Sequence, residues 1–329
     1  MVGTPHCGVR TAQRAVPTFA LQPSTFNLRS AFTLIEVMVV MVLLSLIVIA
    51  LMGVFSSTQA AFRASVTQTD VLEGGRAAMD LITSDLRALA PSGGATNIVG
   101  NANPAVTLAG NGQIPVNFYL VVNNSIISPP LTNTLVGSVS GAPRINVVEN
   151  VFVLSRQNQT WSGVGYVVDT SSTANGLYPL YRFAPTDLPA RPTPMQLFTN
   201  FLANSVQPIS PYNTNMHRLM EGVVGFRVRA YDPNGLWLTN GYPSGTSSTL
   251  KNTALFAPVY GEVGCCLFSN SLPASVEIEM ATLEDRTLQR AESRPYGIQR
   301  DQYLQGQAGK LHLFRQRVTI PNVDPAAYR

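Results

Sequence analysis

Glu36 is the residue whose chemistry most needs a partner. It stands one position before an uncharged apolar run, Val37 to Phe55 (VMVVMVLLSLIVIALMGVF), and directly after Ala31-Phe32-Thr33-Leu34-Ile35. A carboxylate at membrane depth costs on the order of 2.5 to 3.5 kcal/mol, so it either stays in water at the interface or meets a cation. Cys265 and Cys266 are adjacent. They read either as two small apolar residues in a strand or turn, or as a strained vicinal disulfide in an oxidising compartment. With Cys7 they are the only cysteines, too few for a disulfide framework or a zinc site. Glu277, Glu279, Glu284 and Asp285 form an acidic cluster without calcium-loop spacing, which reads as a solvated face. His217 and His312 have no ligand at metal-binding spacing. No G-x-S-x-G elbow, Walker loop or dinucleotide fingerprint is present, and Gly110-Asn111-Gly112 lacks a third glycine. The expectation is therefore no catalytic residue, no metal, no cofactor and no enzymatic activity.

The element that must position Glu36 is the apolar run. The 329 residues are 45% hydrophobic and 12% charged, against roughly 25% charged in an ordinary soluble domain. Two uncharged stretches account for most of the shortfall, Val37 to Phe62 and Ala88 to Pro143. The first is long enough to cross a bilayer core of ~30 Å as a helix, and too long for the core of a cleaved secretory signal. Arg10, Arg14 and Arg29 precede it with no acid among them. This arrangement predicts a single-pass protein with its start in the cytoplasm and everything after about Ser56 exported. The remaining basic and acidic residues nearly balance, so general affinity for nucleic acid is not expected.

Arg29-Ser30-Ala31-Phe32-Thr33-Leu34-Ile35-Glu36-Val37 resembles the type IV prepilin signature, with Ala31 where most members have glycine. The resemblance implies cleavage after Ala31 by a prepilin peptidase, methylation of the new amine on Phe32, and retention of the helix as anchor and assembly element. It also implies that Leu34, Ile35 and Glu36 act in assembly, with Glu36 pairing to the Phe32 amine of a neighbouring subunit. The domains expected are a leader over 1–31, a membrane and assembly helix over 32–56, an amphipathic continuation over 57–90 and a β-rich head over 91–329.

The continuation rests on Phe62, Val66, Thr69, Leu72, Met79, Ile82, Leu86 and Leu89, spaced three or four apart. Gly74-Gly75 interrupts that pattern and predicts a bend or local melting, and Pro91-Ser92-Gly93-Gly94 ends it. Period-two patterns then predict strands at Val116–Val122, Asn146–Leu154, Gly163–Asp169, Leu177–Phe183, Val223–Tyr231, Ser275–Leu283 and His312–Ile320, with a hairpin through Asp232-Pro233-Asn234-Gly235 into Leu236-Trp237-Leu238. Glu277 and Glu279 either meet Arg315 and Arg317 across a strand pair or remain four separate solvated charges. The fold class expected is α+β: a long N-terminal helix packed on an antiparallel sheet with one apolar face, as in pilins.

Leu219 to Trp237 (LMEGVVGFRVRAYDPNGLW), Ser271 to Glu279 (SLPASVEIE) and Gly75 to Leu89 (GRAAMDLITSDLRAL) are similar to the J-type minor pseudopilins of type II secretion, with W-type minor pilins second. This implies a structural subunit of a pseudopilus tip complex, single-pass in the inner membrane of a Gram-negative bacterium with its head in the periplasm. Its implied partners are the prepilin peptidase, other minor and major pseudopilins or pilins, an inner-membrane assembly platform and the lipid bilayer. A membrane-anchored binding module and a tethered periplasmic enzyme are the competing classes.

Overall fold

A computed structural model of the chain describes residues 33–93, 115–123, 146–171, 177–186, 191–239, 251–259, 261–295 and 298–328. The chain divides into two compact units, 1–60 and 61–329. The described part of the first is helical. Helix α1 (Leu34–Arg87) starts there and ends within the second.

The second unit is built on one nine-stranded antiparallel sheet in the order β6-β7-β1-β2-β3-β4-β5-β8-β9. Its strands are β1 (Val116–Val122), β2 (Glu149–Gln157), β3 (Thr160–Val168), β4 (Tyr178–Phe183), β5 (Met216–Tyr231), β6 (Thr253–Leu255), β7 (Cys265–Phe268), β8 (Ser275–Leu283) and β9 (Leu311–Thr319). Three further helices are α2 (Pro194–Asn204), α3 (Asp285–Glu292) and α4 (Ile298–Gln305). The α+β class is as expected.

Within the second unit the helix packs on the sheet through its last turns. Ala78, Met79, Ile82 and Leu86, with Leu89 just beyond, join a buried cluster with Val151, Tyr166, Phe226, Ile278 and Val318. Phe62 is 70% exposed and Val66 is also exposed, so the first half of the predicted stripe is not buried within the chain. Nor does the helix break at Gly74-Gly75. It runs through both, and Gly75 leaves the room that the Phe314 ring of β9 occupies. A β-carbon there would lie 2.2 Å from that ring, whereas at Gly74 it would meet nothing.

Sheet burial also differs from expectation. The strands were expected to have one apolar face, yet β2 is buried on both faces over Val151–Ser155. The second face is covered by α2, whose Leu197, Phe198 and Phe201 pack on Phe152, Phe183 and Val167. The Phe201 ring lies so close to β3 that a β-carbon at Gly165 would come within 2.3 Å of it. Helix α2 opens with a capping box, Thr193 accepting from the Gln196 amide while the Gln196 side chain accepts from Thr193. Thr193-Pro194-Met195-Gln196 is a readable start signal in the sequence.

The predicted hairpin after β5 is a turn held by Asp232, but it pairs back only through the Tyr231–Trp237 bridge. Past Val223, β5 leaves β4 and pairs with β8. Its vacated edge is met by the residues just before β2, through a parallel Val148–Phe226 bridge and a hydrogen bond donated by the Phe226 amide to the Val147 carbonyl. The next inward amide, that of Val228, donates to the Glu149 carboxylate. A side chain thus supplies the acceptor that a departing backbone no longer offers.

Candidate assembly site

From Leu34 to Phe55 every large apolar side chain of α1 is exposed, Leu34 at 80% and Ile35 at 71% among them. None of the most apolar window of this helix is buried within the chain, and the helix is long enough to cross a membrane. The 34–55 segment spans about 33 Å of helix, matching a bilayer core. A helix that is apolar all round and covered by nothing of its own requires lipid or other proteins around it.

Ala31 and Phe32, the predicted cleavage position and new terminus, lie outside the described residues. Glu36 does not stand alone in the first turn. The amide and hydroxyl of Thr33 both donate to its Oε2, each at 3.3 Å, and the Glu36 amide approaches Thr33 Oγ1 at 3.4 Å. This is a reciprocal capping box, with a carboxylate at the positive end of the helix. The spacing Thr33-x-x-Glu36 is legible in the sequence. Reading Glu36 only as a charge in search of an amine overlooks it. The box engages Oε2, so a second interaction has Oε1 to address.

The adjacent cysteines form no disulfide. Both are free and buried in β7. Strand alternation sends Cys265 to the cluster beneath α1 and Cys266 to the cluster beneath α2. Burial pushes both thiols well above their ordinary range, so neither forms a thiolate nucleophile. The vicinal disulfide considered from sequence gives way to two core residues, because a regular strand points successive side chains apart.

Among the described residues the head carries an ordered charge array on the sheet face away from α1. Register places Arg227 opposite Glu279 and Arg229 opposite Glu277 on β5 and β8. It then places Glu279 opposite Arg315 and Glu277 opposite Arg317 on β8 and β9. On the far side of β5, Glu262 Oε1 reaches Arg227 Nε at 2.9 Å and Arg229 Nη2 at 2.7 Å. The Glu262 bond holds Arg229 charged above its ordinary range despite partial desolvation. The predicted Glu–Arg partnership across β8 and β9 exists in part. Arg315 Nη2 bonds Glu277 diagonally at 2.6 Å, whereas Arg317 donates to Ser275 and lies 4.0 Å over the Tyr231 ring. Glu279 instead meets Arg227 at 3.5 Å. No cluster of three metal-binding side chains occurs among the described residues, and His312 faces Glu284 at 3.6 Å.

Residues 27–55 match the family model described as the prokaryotic N-terminal methylation motif. No curated protein and no solved structure matches the chain. The motif and the uncovered helix behind it make this a prepilin-like, membrane-anchored protein, and the motif implies processing by a prepilin peptidase and assembly with other pilins.

Proposed function

We propose that the chain is a minor pseudopilin, a structural subunit of a type II secretion filament with no reaction of its own. A prepilin peptidase removes residues 1–31 on the cytoplasmic side and methylates the Phe32 amine. The helix from Phe32 onward holds the protein in the inner membrane of a Gram-negative bacterium, its head in the periplasm, until it enters the filament. Leu34, Ile35 and the apolar residues behind them then exchange lipid for the helices of sister subunits. Glu36 pairs with a neighbour's amine, which sets the stagger between subunits and offsets the cost of burying the carboxylate.

The observation that carries this reading is the helix uncovered on every face from Leu34 to Phe55, placed directly behind the methylation motif. Support for the J-type assignment comes from the Leu219–Trp237 and Ser271–Glu279 segments, which overlap β5 and β8. The large head favours a place at the filament tip, because a bulky subunit repeats poorly along a shaft. Mass spectrometry of the membrane-extracted protein tests the class. A mature chain beginning with N-methylated Phe32 is expected, and an intact Met1 would overturn it. Cross-linking should recover other minor subunits, and recovery mainly along the shaft would refute the tip position.

A further inference from the structure

We infer that β9 is an acceptor edge for an extended acidic segment of another protein, which adds to the sheet as one more strand beside Arg315 and Arg317. The two edges of the sheet differ. β6 is three residues long, a length that discourages pairing. β9 is nine residues long, contains neither proline nor glycine, and pairs with β8 along its whole length without a shift in register. Among the described residues no strand pairs with its outer side. Alternate amides and carbonyls of β9 therefore point away from the sheet, as a template for a further strand.

The charge array says what kind of strand fits. Across the face the columns alternate in sign: Glu262, then Arg227 and Arg229, then Glu277 and Glu279, then Arg315 and Arg317. Acid flanks the β5 arginines on both sides. The β9 column has acid on one side only, and Arg315 remains 58% exposed although Glu277 bonds it. The sequence of alternation ends on a positive column at a free edge. Opposite charges facing one another across strands stabilise pairing and like charges oppose it. Carboxylates two residues apart on the incoming strand complete the pattern. Leu313, on the same face and 53% exposed, offers an apolar contact at the next position.

The same charges select against a second copy of this chain. β9 contains no acid, so pairing it with itself brings together four arginines, a usual device against edge-to-edge association. Neighbouring filament subunits are a natural source of the acidic strand, but the inference does not depend on that setting.

A peptide assay on the full chain in detergent tests it. The probe is a fluorescent nine-residue peptide with glutamates at two alternate positions, a leucine at the next, and valine or threonine between. A lysine version and a version N-methylated along the pairing edge serve as comparisons. Anisotropy should show binding of the glutamate peptide alone. Arg315→Glu with Arg317→Glu should weaken it by about tenfold or more and transfer preference to the lysine peptide. Leu313→Glu changes a half-exposed side chain opposite Ala281, breaks no ion pair and should weaken it as well, which keeps the test valid if the double reversal unfolds. Binding by the N-methylated peptide would reduce the effect to electrostatics without strand addition. That result, indifference to the substitutions, absence of binding, or self-association through β9 would each overturn the inference. None of these readouts depends on Phe32 processing, so the inference and the pseudopilin reading fail separately.

Discussion

Asp85 of α1 and Arg182 of β4 form a two-pronged ion pair, Nε to Oδ2 at 2.9 Å and Nη2 to Oδ1 at 3.1 Å, and the Tyr166 hydroxyl donates to the same carboxylate. Desolvation works against the Arg182 charge, but its bonds to Asp85 outweigh that and hold the guanidinium above its ordinary range. Burial and the adjacent Asp85 charge push the Tyr166 hydroxyl upward, so it stays protonated as a donor. The pair fixes where along α1 the sheet attaches. Buried apolar contacts of Ile82 and Leu86 with the strands hold the same segment of the helix.

Asp85→Ala should cost about 2 to 3 kcal/mol, because it leaves a partly buried guanidinium and a phenol without their acceptor. Tyr166→Phe should cost about 1 kcal/mol. Urea unfolding of the two variants and their combination should show coupling, and strict additivity would mean that the three groups do not act together.

The paired glycines should respond in opposite directions. Gly74→Ala meets open space and should stabilise by about 0.5 to 1 kcal/mol through helix propensity. Gly75→Ala forces the Phe314 ring aside and should destabilise by about 1 to 3 kcal/mol. Thermal unfolding of both variants reads the sign directly.

Glu149 is buried, and burial raises its pKa well above the ordinary 4.5, with the nearby Glu262 adding to the shift and the Val228 amide opposing it. The native state therefore holds this proton more tightly than the unfolded chain. Stability contributed by the group is complete below about 4.5 and declines as pH rises from there through the raised native value. Glu149→Gln keeps an acceptor for Val228 and cannot ionise. Its stability relative to the unsubstituted chain should climb between pH 4.5 and 8, and a flat difference across that range would refute the assignment.

Glu36→Gln and Glu36→Ala separate two roles of one carboxylate. Glutamine retains the cap on Thr33 but carries no charge, whereas alanine loses both. If charge pairing drives assembly, both variants should insert and be cleaved yet fail to enter the filament. Normal assembly of the glutamine variant would assign Glu36 to capping alone.

Cys265 and Cys266 should resist maleimide in the folded head and react after unfolding, equally with and without reductant. Labelling that needs reductant would point to a disulfide.

Elements were readable from sequence where local pattern and tertiary environment agree. β1 and β8 have the predicted bounds because apolar residues alternate or run together between turn residues. β6 and β7 are too short to show a period. Helix α2 announces itself through Thr193 and Gln196, and overlooking it hides the second covered face of the sheet. Glu149 and Asp85 owe their importance to partners distant in sequence, an amide abandoned by β4 and an arginine on another strand. No local pattern carries that information. Gly75 shows the converse: propensity predicts a weak point, while a ring from the other end of the chain occupies the space a side chain would take.

That ring comes from the last strand, and the notch it fills lies in the first helix. During synthesis the apolar segment emerges and can partition into lipid long before Phe314 exists. The Gly75 side of the helix therefore stays open until almost the whole chain has followed. Closing so large a sequence separation is slow. A chain truncated before β9 would keep the anchor and most of the apolar seat for the helix, but would lack the ring that fills the space beside Gly75.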